Sequence, residues 1–393
     1  MSSLNTIYYG PTKDFEKLID EDSNILNLRD LVKMMDSIES FNKWLENKPE
    51  IPYILLCYGE AFYSIREHFI ENLPSVINYL FIDGYIDSCL MQNPPSAFIQ
   101  SMKRVFKGNL EENEYKHKNI SKQSLIKIAE KYKDEIVGQD EALVEILSTL
   151  YPLVNRLDEK PIVMMFYGPA GVGKTEAAKI INDSLDQGGI LRQQMSMFQT
   201  SDFASYLFGG TLEAPSLAKD LMKREGNVIL FDEFNRCSPY LYSAFFQMFD
   251  EGIYIDKNYE VGLKNSIIIC TANFGSMEEI FGTLGAPLFS RFDHFIAFND
   301  LSTEAKKTLI ENKYNEILES WDANDIEVIK ENVKLEELVD QADFFTNARN
   351  IEKGIKGKRE RKGMRERGKE KGEEEKKEKG NRGGEGGGGK GET

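Results

Sequence analysis

The sequence is short of the residues that mark disulfide frameworks, zinc sites and membrane spans. It has only four cysteines and three histidines, and the cysteines form no CxxC pair. Such scattered cysteines are typical of a reduced compartment and give no zinc-binding pattern. The N-terminus lacks the basic and apolar regions of a secretory signal, and no apolar run approaches the roughly 20 residues of a membrane helix. We therefore expect a soluble, cytoplasmic protein without a membrane partner.

Basic charge is also scarce outside the C-terminal end. The net charge is −16, and basic residues outnumber acidic ones from Lys353 onward, so residues 1–352 carry all of the acidic excess. An acidic surface repels phosphate backbones at long range, which disfavours nucleic acid as a partner.

The last segment, residues 356–393, is almost wholly Lys, Arg, Glu and Gly. It cannot bury enough apolar surface to offset its chain entropy, so we expect it to be disordered. Purine-only codons encode these same four residue types, and an artefactual or frameshifted end is therefore an open alternative. We base no function on this segment.

Residues 1–118 predict an α+β N-terminal domain of unknown role. Residues 51–58 have the pattern of a short buried strand, and residues 61–72 that of a helix. Residues 77–81 fit either a strand or a helix end, because periodicity alone does not separate the two. Residues 107–118 are polar and highly charged, as in a linker. No motif in this part carries chemistry.

Residues 119–300 alternate between apolar runs of strand length and helical patterns. The predicted strands are residues 162–167, 228–231 and 266–271, and the predicted helices include 139–154 and 174–185. Such alternation indicates an α/β fold with a parallel sheet covered by helices on both faces. Residues 301–355 have helical patterns only, which predicts a small helical domain.

A complete GxxxxGK[ST] motif lies between a predicted strand and a predicted helix. Its residues are Gly168, Pro169, Ala170, Gly171, Val172, Gly173, Lys174 and Thr175. Glycines let a triphosphate approach bare backbone N–H groups at the positive end of the following helix. In such a P-loop the lysine reaches the β and γ phosphates and the hydroxyl binds Mg²⁺. The motif predicts a P-loop NTPase fold with ATP and Mg²⁺ as ligands.

Polar residues follow the next two predicted strands. Asp232 and Glu233 end the strand at 228–231, and Asn273 follows the strand at 266–271. Ligands of open α/β sheets bind at the carboxyl ends of strands. We expect Asp232 to hold Mg²⁺, Glu233 to activate the attacking water, and Asn273 to contact the γ-phosphate or that water. The alternatives are a solvated acidic loop and a turn-forming asparagine.

Arg291 follows the third of these strands in the sequence APLFSRFD (residues 286–293). One interpretation is a surface arginine that pairs with a neighbouring carboxylate. The other is an arginine finger that reaches the γ-phosphate bound by a neighbouring subunit, which requires a ring.

Together, these motifs resemble the Clp family of AAA+ unfoldases, closest to the last ATPase module of its disaggregase branch. The resemblance covers about residues 120–355 and includes IVGQDEA (136–142), GKTE (173–176) and NARNI (347–351). It implies adenine contacts at Ile136 and Val137, a nucleotide-binding role for Glu176, an arginine finger at Arg291 and an ATP contact at Arg349. It also implies an ATP-hydrolysing hexameric ring that acts on protein substrates.

The sequence departs from the family pattern in three places. Counting back from Asp232 puts Phe208 at the family's aromatic pore loop, whereas counting forward from Met195 deletes most of that loop. Phe208 is therefore either a substrate contact or a core residue. Only 17 residues separate Asn273 from Arg291, without the family's docking tripeptide, which argues against coupling to a partner peptidase. The small domain gives way to the low-complexity segment soon after Arg349, so we expect an incomplete lid.

Three functions compete at this point. The leading hypothesis is an ATP-driven protein remodeller or unfoldase that selects substrates through residues 1–118. The second is a nucleotide-switched assembly factor that acts on nucleic-acid or other macromolecular complexes, and the acidic charge disfavours direct contact with DNA. The third is a degenerate ATPase that serves as a binding module. Intact Lys174, Asp232, Glu233 and Arg291 argue against the third.

Overall fold

The computed structural model describes residues 5–155, 160–186, 188–197, 203–319, 334–345 and 350. The chain divides into two compact units. The first comprises Met1–Glu135, Glu141–Gly168 and Lys174–Phe298, and the second comprises Ile136–Asp140, Pro169–Gly173 and Asn299–Thr393. Among the described residues, no helix combines the length and apolar character that a membrane crossing requires.

The first unit contains two five-stranded sheets. The strands of the first sheet are β1 (Asn5–Tyr9), β2 (Ile25–Asn27), β3 (Tyr53–Cys57), β4 (Ile86–Gln92) and β5 (Leu110–Glu114). They lie in the order β2-β3-β4-β1-β5, and every neighbouring pair is parallel. The helices of this part are α1 (Thr12–Phe15), α2 (Leu28–Met35), α3 (Ile38–Leu45), α4 (Glu67–Ile70), α5 (Leu73–Ile82) and α6 (Ser96–Phe106).

Three predictions for this region are wrong. The fold of residues 5–114 is α/β rather than α+β, since its strands pair in parallel and alternate with helices. The predicted helix at 61–72 is a 3₁₀ helix, Gly59–Ser64, followed by α4, because Ile65 is extended and buries its side chain. The predicted linker at 107–118 contains β5. That strand is polar because it lies at the sheet edge, where only β1 pairs with it.

The second sheet follows α7 (Lys122–Glu135) and α8 (Asp140–Leu150). Its strands are β6 (Ile162–Tyr167), β7 (Leu191–Gln194), β8 (Val228–Asp232), β11 (Ile267–Ala272) and β12 (His294–Ala297), in the all-parallel order β12-β6-β11-β8-β7. A hairpin of β9 (Ile253–Ile255) and β10 (Glu260–Gly262) is separate. The helices are α9 (Lys174–Ser184), α10 (Ala204–Phe208), α11 (Leu217–Lys223), α12 (Phe246–Asp250) and α13 (Met277–Phe289).

The three strands predicted for this region are confirmed to within a residue, since β6, β8 and β11 are buried along almost their whole length. The edge strands β7 and β12 were not predicted, because they are short and only partly buried. The predicted parallel sheet with flanking helices is confirmed.

The second unit contains only helices among its described elements. They are α14 (Thr303–Glu319), α15 (Leu335–Val339) and a 3₁₀ helix, Ala342–Phe344. Ile310, Tyr314, Leu338 and Ala342 form its small core. Gln139 closes this unit on itself, because its side-chain amide donates to the Asn299 carbonyl at 2.8 Å and accepts from the Asn299 N–H at 3.0 Å. Arg349 and the segment at 356–393 lie outside the described residues.

Candidate nucleotide site

The glycines of the loop at 168–175 adopt backbone conformations that other residues rarely reach. Gly168, Gly171 and Gly173 have φ values of 137°, 76° and 109°. A Cβ on Gly168 would lie 1.9 Å from the carbonyl oxygen of Phe298, so no side chain fits there. Bare backbone in a region of positive φ forms the kind of concave surface that binds phosphate.

Lys174 begins α9 and turns its ammonium group inward. Its Nζ donates to the Gly168 carbonyl at 2.6 Å and to Asn273 Oδ1 at 3.0 Å. The side chain is 6% exposed, and burial lowers its pKa to about 8, partly offset by the nearby charge of Asp232. Desolvation disfavours the charged form of a buried lysine, and a phosphate anion beside it restores that form. The structure therefore brings Lys174 and Asn273 together.

Asp232, the last residue of β8, is buried among polar groups. The Thr175 hydroxyl donates to its carboxylate oxygens at 3.2 and 3.4 Å. The Thr271 hydroxyl also donates to Asp232, and the Arg192 guanidinium forms an ion pair with it. Hydroxyl and carboxylate oxygens are the ligands that Mg²⁺ prefers, so this donor set fits the metal.

Glu233 has a left-handed backbone conformation, with φ 55° and ψ 45°. Its N–H donates to the Thr271 hydroxyl at 3.0 Å, which links the end of β8 to the end of β11. A non-glycine residue in this region costs on the order of 1–3 kcal/mol and persists where the surroundings hold it in place. The half-buried carboxylate thus lies at the carboxyl edge of the sheet, beside Asp232.

Arg291 is held by groups of its own unit. Its Nε donates to Asp250 Oδ2 at 2.7 Å, its Nη1 donates to the Pro287 carbonyl, and its guanidinium lies 4.4 Å from the ring centre of Phe246. The side chain is 24% exposed. These contacts match the surface-pair interpretation within one chain, and the arginine-finger interpretation remains a prediction.

The remaining predicted nucleotide-binding residues lie in different surroundings. Ile136 packs on the glycine loop, since a Cβ on Gly173 would lie 3.2 Å from Ile136 Cγ2. Val172 is buried, whereas Val137 is only partly buried. Glu176 pairs with Lys179 at 3.0 Å, one turn along α9.

Phe208 ends α10 and is 40% exposed, so it is not a core residue. The next residue, Gly209, has φ 83°, and a Cβ there would lie 2.8 Å from the backbone nitrogen of Lys257. The chain therefore turns sharply after Phe208 and leaves its ring at the surface. Whether this ring contacts a substrate stays a prediction.

Sequence reasoning missed two partners of Asp232. Thr271 is one of them, and its position two residues before Asn273 could have pointed to it. Arg192 is the other; it lies on β7 opposite Leu230 of β8, and its side chain reaches Asp232. It was missed because β7 was not predicted as a strand.

Comparison with known proteins agrees with this geometry. Residues 159–320 match the family model described as the AAA domain (Cdc48 subfamily). The chain carries an AAA domain. The chain is 30% identical over 222 residues to the chaperone protein ClpB of Clostridium perfringens, and this alignment covers 48% of the chain and 26% of that protein. It is also 30% identical over 248 residues to ClpE of Lactococcus lactis, an ATP-binding subunit of the Clp protease. That alignment covers 55% of the chain and 33% of ClpE.

A solved structure shows the same fold. A closed-state reconstruction of Hsp104 with ATPγS and FITC casein aligns with a TM-score of 0.51 and 19% identity over 74% of this chain and 54% of that one. This chain spans about a quarter to a third of the length of the ClpB and ClpE relatives. The predicted resemblance to Clp-type AAA+ ATPases is confirmed for the AAA domain.

Proposed function

We propose that the chain is a Mg²⁺-dependent ATPase whose phosphate site lies at the carboxyl edge of the second sheet. The observation that carries the proposal is the convergence of side chains from three segments. Lys174 reaches Asn273 at 3.0 Å, and Thr175 reaches Asp232 at 3.2 Å. The chain thus joins a P-loop lysine, a metal-binding carboxylate and a polar amide within one sheet edge.

Each of these residues has a distinct role in the proposal. Residues 168–175 bind the phosphates, with Lys174 opposite the β and γ groups. Thr175 and Asp232 would hold Mg²⁺, which neutralises charge on the phosphates when bound. Glu233 accepts a proton from the attacking water, and Asn273 orients that water or the γ-phosphate.

We also propose that a neighbouring subunit supplies part of the active site. We propose a homo-oligomeric ring, a hexamer by resemblance, in which Arg291 leaves Asp250 and approaches ATP bound by the neighbouring subunit. An arginine finger that places positive charge at the γ-phosphate raises the rate of hydrolysis about 10³–10⁵-fold. Ile136, Val137 and Glu176 complete the nucleotide contacts in this proposal, and Arg349 contacts ATP from the small domain.

The best-supported use of this ATPase is the remodelling of protein substrates. The relatives named above are chaperones or Clp subunits, and Phe208 offers an exposed aromatic ring in the second sheet's region. The net negative charge of residues 1–352 disfavours a nucleic-acid substrate. No partner peptidase is part of the proposal, because the docking tripeptide is missing between Asn273 and Arg291.

ATP turnover with and without candidate substrates tests this proposal. We expect hydrolysis that an unfolded protein such as casein accelerates and that duplex DNA does not change. Acceleration by DNA alone would favour the nucleotide-switched assembly factor. Absence of hydrolysis in a sample shown to be assembled would contradict the ATPase assignment.

A further inference from the structure

The two sheets have the same strand order. Numbered along the chain within each sheet, both run fifth, first, fourth, third, second: β5-β1-β4-β3-β2 and β12-β6-β11-β8-β7. All neighbouring strands are parallel in both. This order differs from the two common doubly wound orders, so its appearance twice in one chain indicates one fold present in two copies.

The register of the strands also corresponds. In the first sheet the Tyr115 N–H donates to the Tyr9 carbonyl at 2.8 Å, and in the second the Phe298 N–H donates to the Tyr167 carbonyl at 2.8 Å. Each bond joins the end of the first strand to the residue after the fifth strand. Tyr9 therefore corresponds to Tyr167.

A Gly-Pro pair follows each of these tyrosines. A Cβ on Gly10 would lie 2.6 Å from the Tyr115 Cβ, and a Cβ on Gly168 would lie 1.9 Å from the Phe298 carbonyl oxygen. The corresponding neighbour thus crowds both glycines. Gly10 occupies the place of the first P-loop glycine.

The loop that would bind phosphate is missing from the first copy of the fold, residues 5–114. Gly10 and Pro11 alone precede α1, a helix of four residues, whereas six residues precede α9, a helix of eleven. The Gly10 N–H donates to Asn93 Oδ1 at 2.9 Å, and the amides of Asn93 and Gln92 donate to the Gly10 carbonyl at 2.8 and 3.0 Å. A buried side chain therefore takes the Gly10 N–H, the backbone donor that a phosphate would use, and the two amides hold the neighbouring carbonyl in place.

The first copy also lacks acidic residues where its third strand ends. The residues there are Cys57, Tyr58 and Gly59, in place of the Asp232–Glu233 pair of β8. The next carboxylate, Glu60, forms an ion pair with Lys223 of α11 at 2.9 Å. Among the described residues, no pair of adjacent carboxylates follows this third strand.

Helix α11 occupies the side of this edge where a ligand would enter. A cavity of about 250 Å³ lies there, lined by Thr12, Gln92 and Asn93 of the first copy and by Lys219, Met222 and Lys223 of α11. Lys219 Nζ lies 3.6 Å from the ring centre of Tyr63. Met222 belongs to one apolar core that includes residues of both sheets.

We propose that residues 5–114 are a nucleotide-free copy of the ATPase fold, whose carboxyl edge binds α11 in place of a nucleotide. Four residues after α11 the chain enters β8, which carries Asp232 and leads to Glu233. The inactive copy thereby supports the segment that delivers the catalytic acids of the active copy. This inference gives residues 5–114 a role that the proposed ATPase activity leaves open.

The number of ATP molecules bound per chain tests the first half of the inference. In the full chain carrying Glu233→Gln, titration with ATP and Mg²⁺ should give one ATP per chain, and adding Lys174→Ala should weaken that whole isotherm. Two ATP per chain, or a site whose affinity survives Lys174→Ala, would overturn the inference. If the chain binds no ATP, the proposed ATPase function is contradicted instead. The docking of α11 is tested separately, in the absence of nucleotide.

Amide exchange in the nucleotide-free chain tests the second half. Lys223→Glu places like charges at Glu60 and should speed exchange in residues 217–233 about two- to fivefold, the range set by an exposed ion pair. Adding Glu60→Lys should restore it. The matched control is Lys257→Glu, whose pair with Glu67 at 2.8 Å is similarly exposed but contains no residue of α11. The docking of α11 would be overturned if Lys223→Glu left amide exchange in residues 217–233 unchanged. It would also be overturned if Lys257→Glu accelerated exchange in those residues to the same extent.

Discussion

The two sheets of the first unit share a strand order but differ at the edge where ligands bind. In the second, six residues separate β6 from α9, Asp232 ends β8, and Glu233 follows it. In the first, two residues separate β1 from α1, and amide side chains close the loop. Buried strands thus set the fold, whereas a few residues in the loops at their carboxyl ends set the chemistry.

The largest expected difference concerns the arginines of the two copies. Arg291→Ala should lower ATP turnover about 10³–10⁵-fold in the assembled protein while sparing ATP binding, because it removes positive charge from the transition state. Turnover and ATP affinity should be measured on the same sample. Arg29→Ala, at an exposed arginine of the first copy, is the control and should hydrolyse ATP normally.

Mixing variants separates a finger from a surface pair. Arg291→Ala subunits mixed with Lys174→Ala subunits should regain part of the activity, since an intact arginine then faces an intact P-loop across an interface. A normal rate for Arg291→Ala in assembled protein would show that the pair with Asp250 is all that this residue provides.

The second expected effect concerns the acids that the first copy lacks. Glu233→Gln should reduce turnover about 10²–10⁴-fold and leave ATP bound, since only the group that accepts the proton from water is lost. Binding and hydrolysis should be compared with Glu278→Gln, at an exposed glutamate in the first turn of α13. Parallel loss of binding and hydrolysis in Glu233→Gln would mean that this residue supports the fold instead.

The two asparagines at corresponding sheet edges should differ in how much they stabilise the fold. Asn93→Asp should lower the free energy of unfolding by about 1–3 kcal/mol at pH 7, because a buried carboxylate cannot donate to the Gly10 carbonyl. The φ of 45° at position 93 is tolerated by both asparagine and aspartate, so the substitution adds no backbone strain. Asn273→Asp, at an exposed position, should lower it by no more than about 0.5 kcal/mol. Denaturant unfolding distinguishes them, and equal losses would remove the distinction between a closed loop and an open site.

The smallest effect is a proton taken up by Lys174. Its pKa of about 8 leaves about half of it neutral at pH 8 in the nucleotide-free chain, and bound phosphate restores the charge. ATP binding at pH 8 should therefore take up about half a proton, and affinity should fall as pH rises from 7 to 9. Calorimetry in two buffers of different ionisation enthalpy measures this. Lys179→Met should keep the uptake, and its absence in the unaltered chain would contradict the burial of Lys174.

The sequence predicts those parts of the fold that depend on buried strands and on local motifs. β6, β8 and β11 are continuous apolar runs, and residues 168–175 fix their own geometry through their glycines. Edge strands such as β5 and β7 carry polar residues because one side of each is open, so periodicity does not reveal them. Arg192 and Asn93 act through partners far along the chain, which no local pattern contains.

The position of the active edge is best tested by comparing ATP hydrolysis in the full chain with that in Lys174→Ala. We expect saturable hydrolysis that requires Mg²⁺, stops when the metal is chelated, and is lost in Lys174→Ala while the folded content is unchanged. Hydrolysis that persists at the same rate in Lys174→Ala would contradict this expectation, because the active edge would then lie elsewhere than at the second sheet.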